Sequence, residues 1–177
     1  MKKTILCLAL LFFIFSVNAQ QQLSVGVSPL MAFPTRDFKT FNETGYGIGG
    51  HVMYSINKKF DVFFELAFTK FSGKQVTDGG YYYDGSSLWL LDSRFGARYK
   101  WEGFHAGLGM GRCNFLYTNS NNFSAASGLS ISPEIGYKIS SIDIVPSYNL
   151  NFAKYTTSGN LNYWGLKVII DVFSKKI

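Results

Sequence analysis

The sequence predicts an all-β fold, an eight-stranded antiparallel up-and-down β-barrel that crosses a membrane. Three observations carry it. From Trp89 to Met110 apolar residues recur at every second position: Trp89, Leu91, Phe95, Ala97, Tyr99 and Trp101, then Phe104, Ala106, Leu108 and Met110 after a break at Glu102 and Gly103. Between them lie Leu90, Asp92, Arg94, Gly96, Arg98 and Lys100, then His105, Gly107 and Gly109. Period two means strand, and a two-residue break between two such rows means a hairpin. About eight such segments follow one another, with short turns alternating with longer polar loops. Finally, nothing after residue 19 has the roughly 20 apolar residues of a spanning helix, so a chain that is 47% apolar and 18% aromatic crosses lipid with strands if it crosses at all.

The chain opens with Lys2 and Lys3, an apolar run from Thr4 to Val17, then Asn18, Ala19 and glutamines. That pattern is a secretory signal peptide, residues 1–19, leaving a barrel domain at 20–177. Cys7 falls in the signal, so the remaining chain keeps only Cys113 and has no internal disulfide. Removing Lys2 and Lys3 from the 17 basic residues leaves 15 against 11 acidic, a mild excess spread along the chain. It does not form a nucleic-acid footprint.

The first strand is expected from about Leu23 to Phe33, followed by a polar loop to about Glu43. The second presents Tyr46, Ile48, Val52, Tyr54 and Ile56 outward and turns at Asn57–Lys59. The third presents Phe60, Val62, Phe64, Leu66 and Phe68, and Ser72–Ser86 reads as a long loop. Strands four and five are the hairpin around Glu102. Asn114–Ser127 reads as another long loop, and strand six carries Leu129, Ile131, Pro133, Ile135, Tyr137 and Ile139 outward. Ser140 and Ser141 turn the chain into strand seven, with Ile142, Ile144, Pro146, Tyr148, Leu150 and Phe152. A loop near Lys154–Gly159 precedes the last strand, with Trp164, Leu166, Val168, Ile170 and Val172 outward.

Aromatic residues gather at both strand ends: Tyr54, Phe60, Tyr99, Trp101, Phe104 and Tyr137 near the short turns, Phe33, Tyr46, Phe68, Trp89, Phe152 and Trp164 near the loops. Such girdles mark the two interfaces of a membrane barrel. In this pattern the chain resembles the small eight-stranded outer-membrane proteins of Gram-negative bacteria, the OmpA-like and OmpX-like barrel domains of a porin-like or PorT-like family. The resemblance spans nearly all of residues 20–177 and rests on pattern, without a diagnostic motif. It implies location in the outer membrane, contact with outer-membrane lipid, and a monomer. Those barrels commonly finish on an aromatic residue, whereas Phe173 is followed here by Ser174, Lys175, Lys176 and Ile177.

An eight-stranded barrel has an interior just wide enough for side chains to fill. The inward rows supply Glu65, Asp92, Arg94, Arg98, Glu134, Lys138, Asp143 and Lys167 as a lumen charge network. Counting from the turns sets Arg98 opposite Gly107, Arg94 opposite Gly111, Lys138 opposite Asp143 and His51 opposite Glu65. A charge-paired, hydrated plug and a switchable gate are the two readings of that network. Gly45, Gly47 and Gly50 match a dinucleotide-binding spacing but lie within a strand, away from any strand-to-helix turn. His51 and His105 lack an accompanying serine and carboxylate set, and one cysteine with two distant histidines has no metal-site spacing. No catalytic residue, cofactor or metal site is therefore expected. Tyr81, Tyr82 and Tyr83 are the candidate loop contact, because exposed aromatic clusters mark binding surfaces. The chain is thus expected to be a structural or surface-interaction barrel, with a narrow channel as the alternative and an envelope lipid-modifying enzyme behind it. Its loops would meet an envelope or surface protein partner.

Overall fold

The computed structural model describes residues 21–177 apart from 79–80, 86, 120–121 and 153–160, together with all side chains there except those at 77–84 and 117–125. The predicted signal peptide lies outside the described residues. Ten strands appear: β1 (Gln22–Pro34), β2 (Asn42–Ser55), β3 (Phe60–Gly73), β4 (Gln75–Asp78), β5 (Tyr81–Asp84), β6 (Ser87–Trp101), β7 (Phe104–Asn119), β8 (Asn122–Ile139), β9 (Ile142–Asn151) and β10 (Tyr163–Lys176). Eight close into a barrel in the order β1-β2-β3-β6-β7-β8-β9-β10, and β4 and β5 form a separate two-stranded sheet. Every barrel pairing is antiparallel.

The ladder is staggered as it goes round. Glu134 on β8 lies level with Ser147, then Gly165, Ala32, Gly45, Phe71, Leu88 and Tyr117, and the circuit returns to β8 at Ser124, ten residues from its start. Eight strands with such a stagger tilt by roughly 40° and leave a lumen that side chains fill. The outward apolar row of β8 from Ile139 to Leu129 then covers roughly 25 Å of height, the hydrocarbon span of a membrane barrel. Tyr46, Ile48, Phe95, Leu108, Ile135 and Trp164 are among the exposed side chains of this exterior. Closure leaves the barrel no open sheet edge, as lipid requires. No helix among the described residues is long and apolar enough to cross a membrane.

The short turns are built by local chemistry. Glu102 (φ 47°) and Gly103 (φ 90°) both adopt the left-handed region that a two-residue hairpin demands. The Asn57 side-chain oxygen accepts from the backbone N–H groups of Lys59 and Phe60, both at 2.8 Å. Ser140 is left-handed as well, at φ 57°.

At the opposite end the structure corrects three expected loops. Pro34–Glu43 contains a short helix, α1 (Asp37–Phe41), that buries Phe38. The Ser72–Ser86 stretch holds the β4–β5 hairpin, with Tyr81–Tyr83 in β5; their side chains lie outside the described residues. Asn114–Ser127 is largely strand, because β6, β7 and β8 stay paired well beyond the apolar band. Pairing there needs no apolar face, since both faces of the ribbon are above lipid. The loop read at Lys154–Gly159 lies outside the described residues. The polar end of β10 also stays in the ladder, with Lys176 opposite Gln22 beyond a bulge at Val25/Gly26.

Candidate functional site

The lumen is the candidate site. Its registers agree with the sequence: Arg98 lies opposite Gly107, Arg94 opposite Gly111, His51 opposite Glu65 and Lys138 opposite Asp143. Glycine at 107 makes room for arginine, since a Cβ there would lie 2.8 Å from Arg98 Cγ and 3.0 Å from a Glu134 carboxylate oxygen.

Six of the eight predicted residues converge on a buried ion lattice, with Asp92 touching its edge through Arg94 at 4.0 Å. Arg94 Nη2 donates to Glu65 at 2.9 Å, and the Lys167 ammonium donates to the other Glu65 oxygen. Lys167 also lies 3.0 Å from Glu134, whose second oxygen accepts from Arg98 Nε at 2.5 Å. Arg98 Nη1 donates to Asp143 at 3.2 Å, and the same carboxylate meets His105 Nε2 at 2.9 Å. The lattice therefore ties together β3, β6, β7, β8, β9 and β10. Arg94 also donates to Asn149, and the Arg98 guanidinium lies 4.7 Å from the Phe63 ring centre. Charges this deeply buried require partners, and each is supplied from another strand.

Lys138 is the exception. It faces Asp143 in register, yet its ammonium reaches past β9 to Asp171 on β10, at 2.6 Å. Asp143 is already held by Arg98 and His105 on the lumen side, so the longer, wetter lysine turns to the carboxylate at the mouth. Lys100 and Asp61 form a similar half-wet pair at 2.5 Å.

Asp92 sits apart from the centre. It accepts from the Tyr163 hydroxyl at 3.1 Å and lies 4.0 Å from Arg94, at the base of an apolar cap that the polar-lumen reading did not foresee. Ala32, Phe38, Phe71, Leu88, Leu90, Cys113, Phe115, Leu161 and Tyr163 pack together across the loop end of the lumen. The signal for it was available in the inward row that holds Leu88, Leu90 and Asp92. Cys113 belongs to this cap and is fully buried. Tyr163, Asn149, His105 and Asp171 completed the arrangement without having been assigned to it from sequence, because their partners come from non-neighbouring strands.

No family model and no curated protein sequence matches the chain. Solved structures do. The N-terminal β-barrel domain of Pseudomonas aeruginosa OprF is similar at 14% identity and a TM-score of 0.51, covering 86% of this chain and 98% of that one. Neisserial surface protein A gives 11% identity and a TM-score of 0.53 over 86% of this chain and 97% of its own. The Yersinia pestis attachment invasion locus protein Ail, solved with the heparin analogue sucrose octasulfate, gives 12% and 0.51 over 85% and 97%. The chain has the fold of the small eight-stranded outer-membrane barrels.

The two ends of this outer-membrane-type barrel differ. The turn end opens into a vestibule that includes a cavity of about 360 Å³ lined by Asp61, Arg98, Lys100, His105, Lys138 and Asp143. Above it lies the ion lattice, and above that the apolar cap. Along this column His51, Ser28 and Ser132 are buried polar side chains without a hydrogen-bond partner among the described residues.

Proposed function

We propose that the chain is an outer-membrane protein with a structural or surface-interaction role, inserted as a monomer with its short turns facing the periplasm and its loop end facing outward. The carrying observation is that the lumen is filled at two successive levels, by the ion lattice and then by the apolar cap. A filled lumen leaves the exterior and the loop end as the working surfaces. The β6–β7–β8 ribbon and the β4–β5 hairpin project there, and Tyr81–Tyr83 lie in that hairpin. Binding to an envelope or surface protein through these elements fits the reading.

Two measurements test it. The chain should fractionate with outer membrane after loss of about 19 residues and migrate as a heat-modifiable band; recovery from the soluble periplasm would overturn the location. Purified barrel in a planar bilayer should give no sustained conductance. Steady single-channel steps would instead favour the narrow channel, and a pull-down with the purified barrel would then lose its priority.

The channel reading has one observation of its own: Lys167 lies between Glu65 and Glu134, while Glu65 also holds Arg94, so an exchange of partners is geometrically available. An envelope enzyme is less well supported. Among the described residues no hydroxyl or thiol hydrogen-bonds to His51 or His105, and nucleophilic catalysis needs such a pair.

A further inference from the structure

We propose that the outward face of β3, β6, β7 and β8 at the loop end carries a binding site for the phosphate groups of an outer-leaflet lipid, with Lys70 and Arg112 as its cations. The inference rests on the outer-membrane reading above and goes further by naming the ligand chemistry and the residues.

Both side chains stand on the lipid-facing rows. Lys70 follows Leu66 and Phe68 on the outward row of β3 and is exposed. Arg112 follows Leu108 and Met110 on the outward row of β7 and is likewise exposed. Neither has an acidic partner among the described residues, whereas the inward cations Arg94, Arg98, Lys100, Lys138 and Lys167 are all paired. An unpaired cation on an apolar wall requires either water or an anion from outside the chain.

Their height selects the anion. Arg112 lies opposite Leu129, where the unbroken apolar run of the outward row of β8 that starts at Ile139 gives way to Ser127, and its Nη2 donates at 3.1 Å to that serine. That is the upper edge of the hydrocarbon band. Lys70 lies opposite Trp89, with its ammonium 5.0 Å from the indole centre, and Trp89 in turn stacks on Phe68. Two strand spacings and four residues separate Lys70 from Arg112, giving about 16 Å between Cα atoms. The strand tilt brings the two to within about 4 Å of the same height.

Each cation is anchored by one contact and keeps donors free. The guanidinium offers five N–H groups and spends one on Ser127, and the ammonium lies over the π face of Trp89 without a carboxylate. Below them are Phe95, Leu108 and Met110, with Leu129 beside Arg112, all exposed. A phosphate attached to acyl chains gains from both layers, whereas a free phosphate would gain only from the cations. The separation suits a headgroup bearing more than one phosphate, or two adjacent headgroups.

The test uses the full chain refolded into phosphatidylcholine vesicles with and without diphosphoryl lipid A, and reads its unfolding rate in urea. Lipid A should slow unfolding of the wild type, and Lys70→Gln and Arg112→Gln should each forfeit about fivefold of that protection, as expected of one cation near an anionic surface. The double variant should keep almost none. Lys59→Gln, an exposed lysine at the opposite rim, should keep all of it. Undiminished protection in the double variant would overturn the site, leaving two cations that merely snorkel to the interface. Equal protection of the wild type by inorganic phosphate would overturn the lipid as its ligand. Failure to give a heat-modifiable band in either vesicle would bring down the membrane reading itself, which separates that failure from failure of the site.

Discussion

Glu65 accepts from Arg94 on β6 and Lys167 on β10, so one side chain holds two buried cations. Glu65→Ala takes a carboxylate from both, leaving Lys167 with Glu134 alone and Arg94 with Asp92 at 4.0 Å, and should cost roughly 3 to 5 kcal/mol, the penalty for breaking a buried ion pair. Asp61→Ala removes the partner of Lys100, whose side chain is 29% exposed and can take up water, so its cost should be about 1 kcal/mol or less. Urea midpoints of the refolded barrel distinguish the two. Lys138 offers a sharper test of side-chain choice. A double-mutant cycle of Lys138 with Asp171 should show coupling of roughly 0.2 to 1 kcal/mol, as for solvated pairs. The cycle with Asp143, its neighbour in register, should show less. The inverse order would mean that backbone register alone dictates pairing at the mouth.

On the scale of elements, the two faces of each strand should respond oppositely. Leu108→Arg or Val168→Arg puts a charge in mid-band on the lipid side and should cost roughly 2 to 4 kcal/mol, while Ser132→Lys on the lumen side should be milder. Glycines divide in the same way. A Cβ at Gly111 would fall 1.8 Å from the Ser93 carbonyl oxygen, whereas one at outward-facing Gly50 meets nothing within 4 Å. Gly111→Ala should therefore lower the unfolding midpoint markedly and Gly50→Ala leave it nearly unchanged. Much of this was legible beforehand, because period two assigns a face to every residue and the short turns set the registers of Arg94, Arg98 and Lys138. What escaped had physical causes. Alternation of apolar and polar residues fades beyond the apolar band, which hid the upper parts of β7 and β8. Contacts two strands apart, such as Lys138 with Asp171 or Tyr163 with Asp92, depend on the stagger of the whole ring. A local pattern holds no record of it.

For the molecule as a whole, the arrangement of ions also bears on the order of assembly. The ring is sealed by β10 against β1, and β10 carries Lys167, which meets Glu65 from β3 and Glu134 from β8. Before that strand docks, the two carboxylates have only the arginines of β6, and the last cation arrives with the seam. Contacts formed so late are absent from the folding transition state and act on the reverse reaction. Lys167→Met should consequently speed unfolding while leaving the folding rate close to that of the wild type, a split readable from the two arms of a urea chevron in vesicles. A comparable slowing of folding would place β10 in the nucleus. The barrel would then gain its last interior cation early in folding, instead of being one whose closure and neutralisation are a single late event.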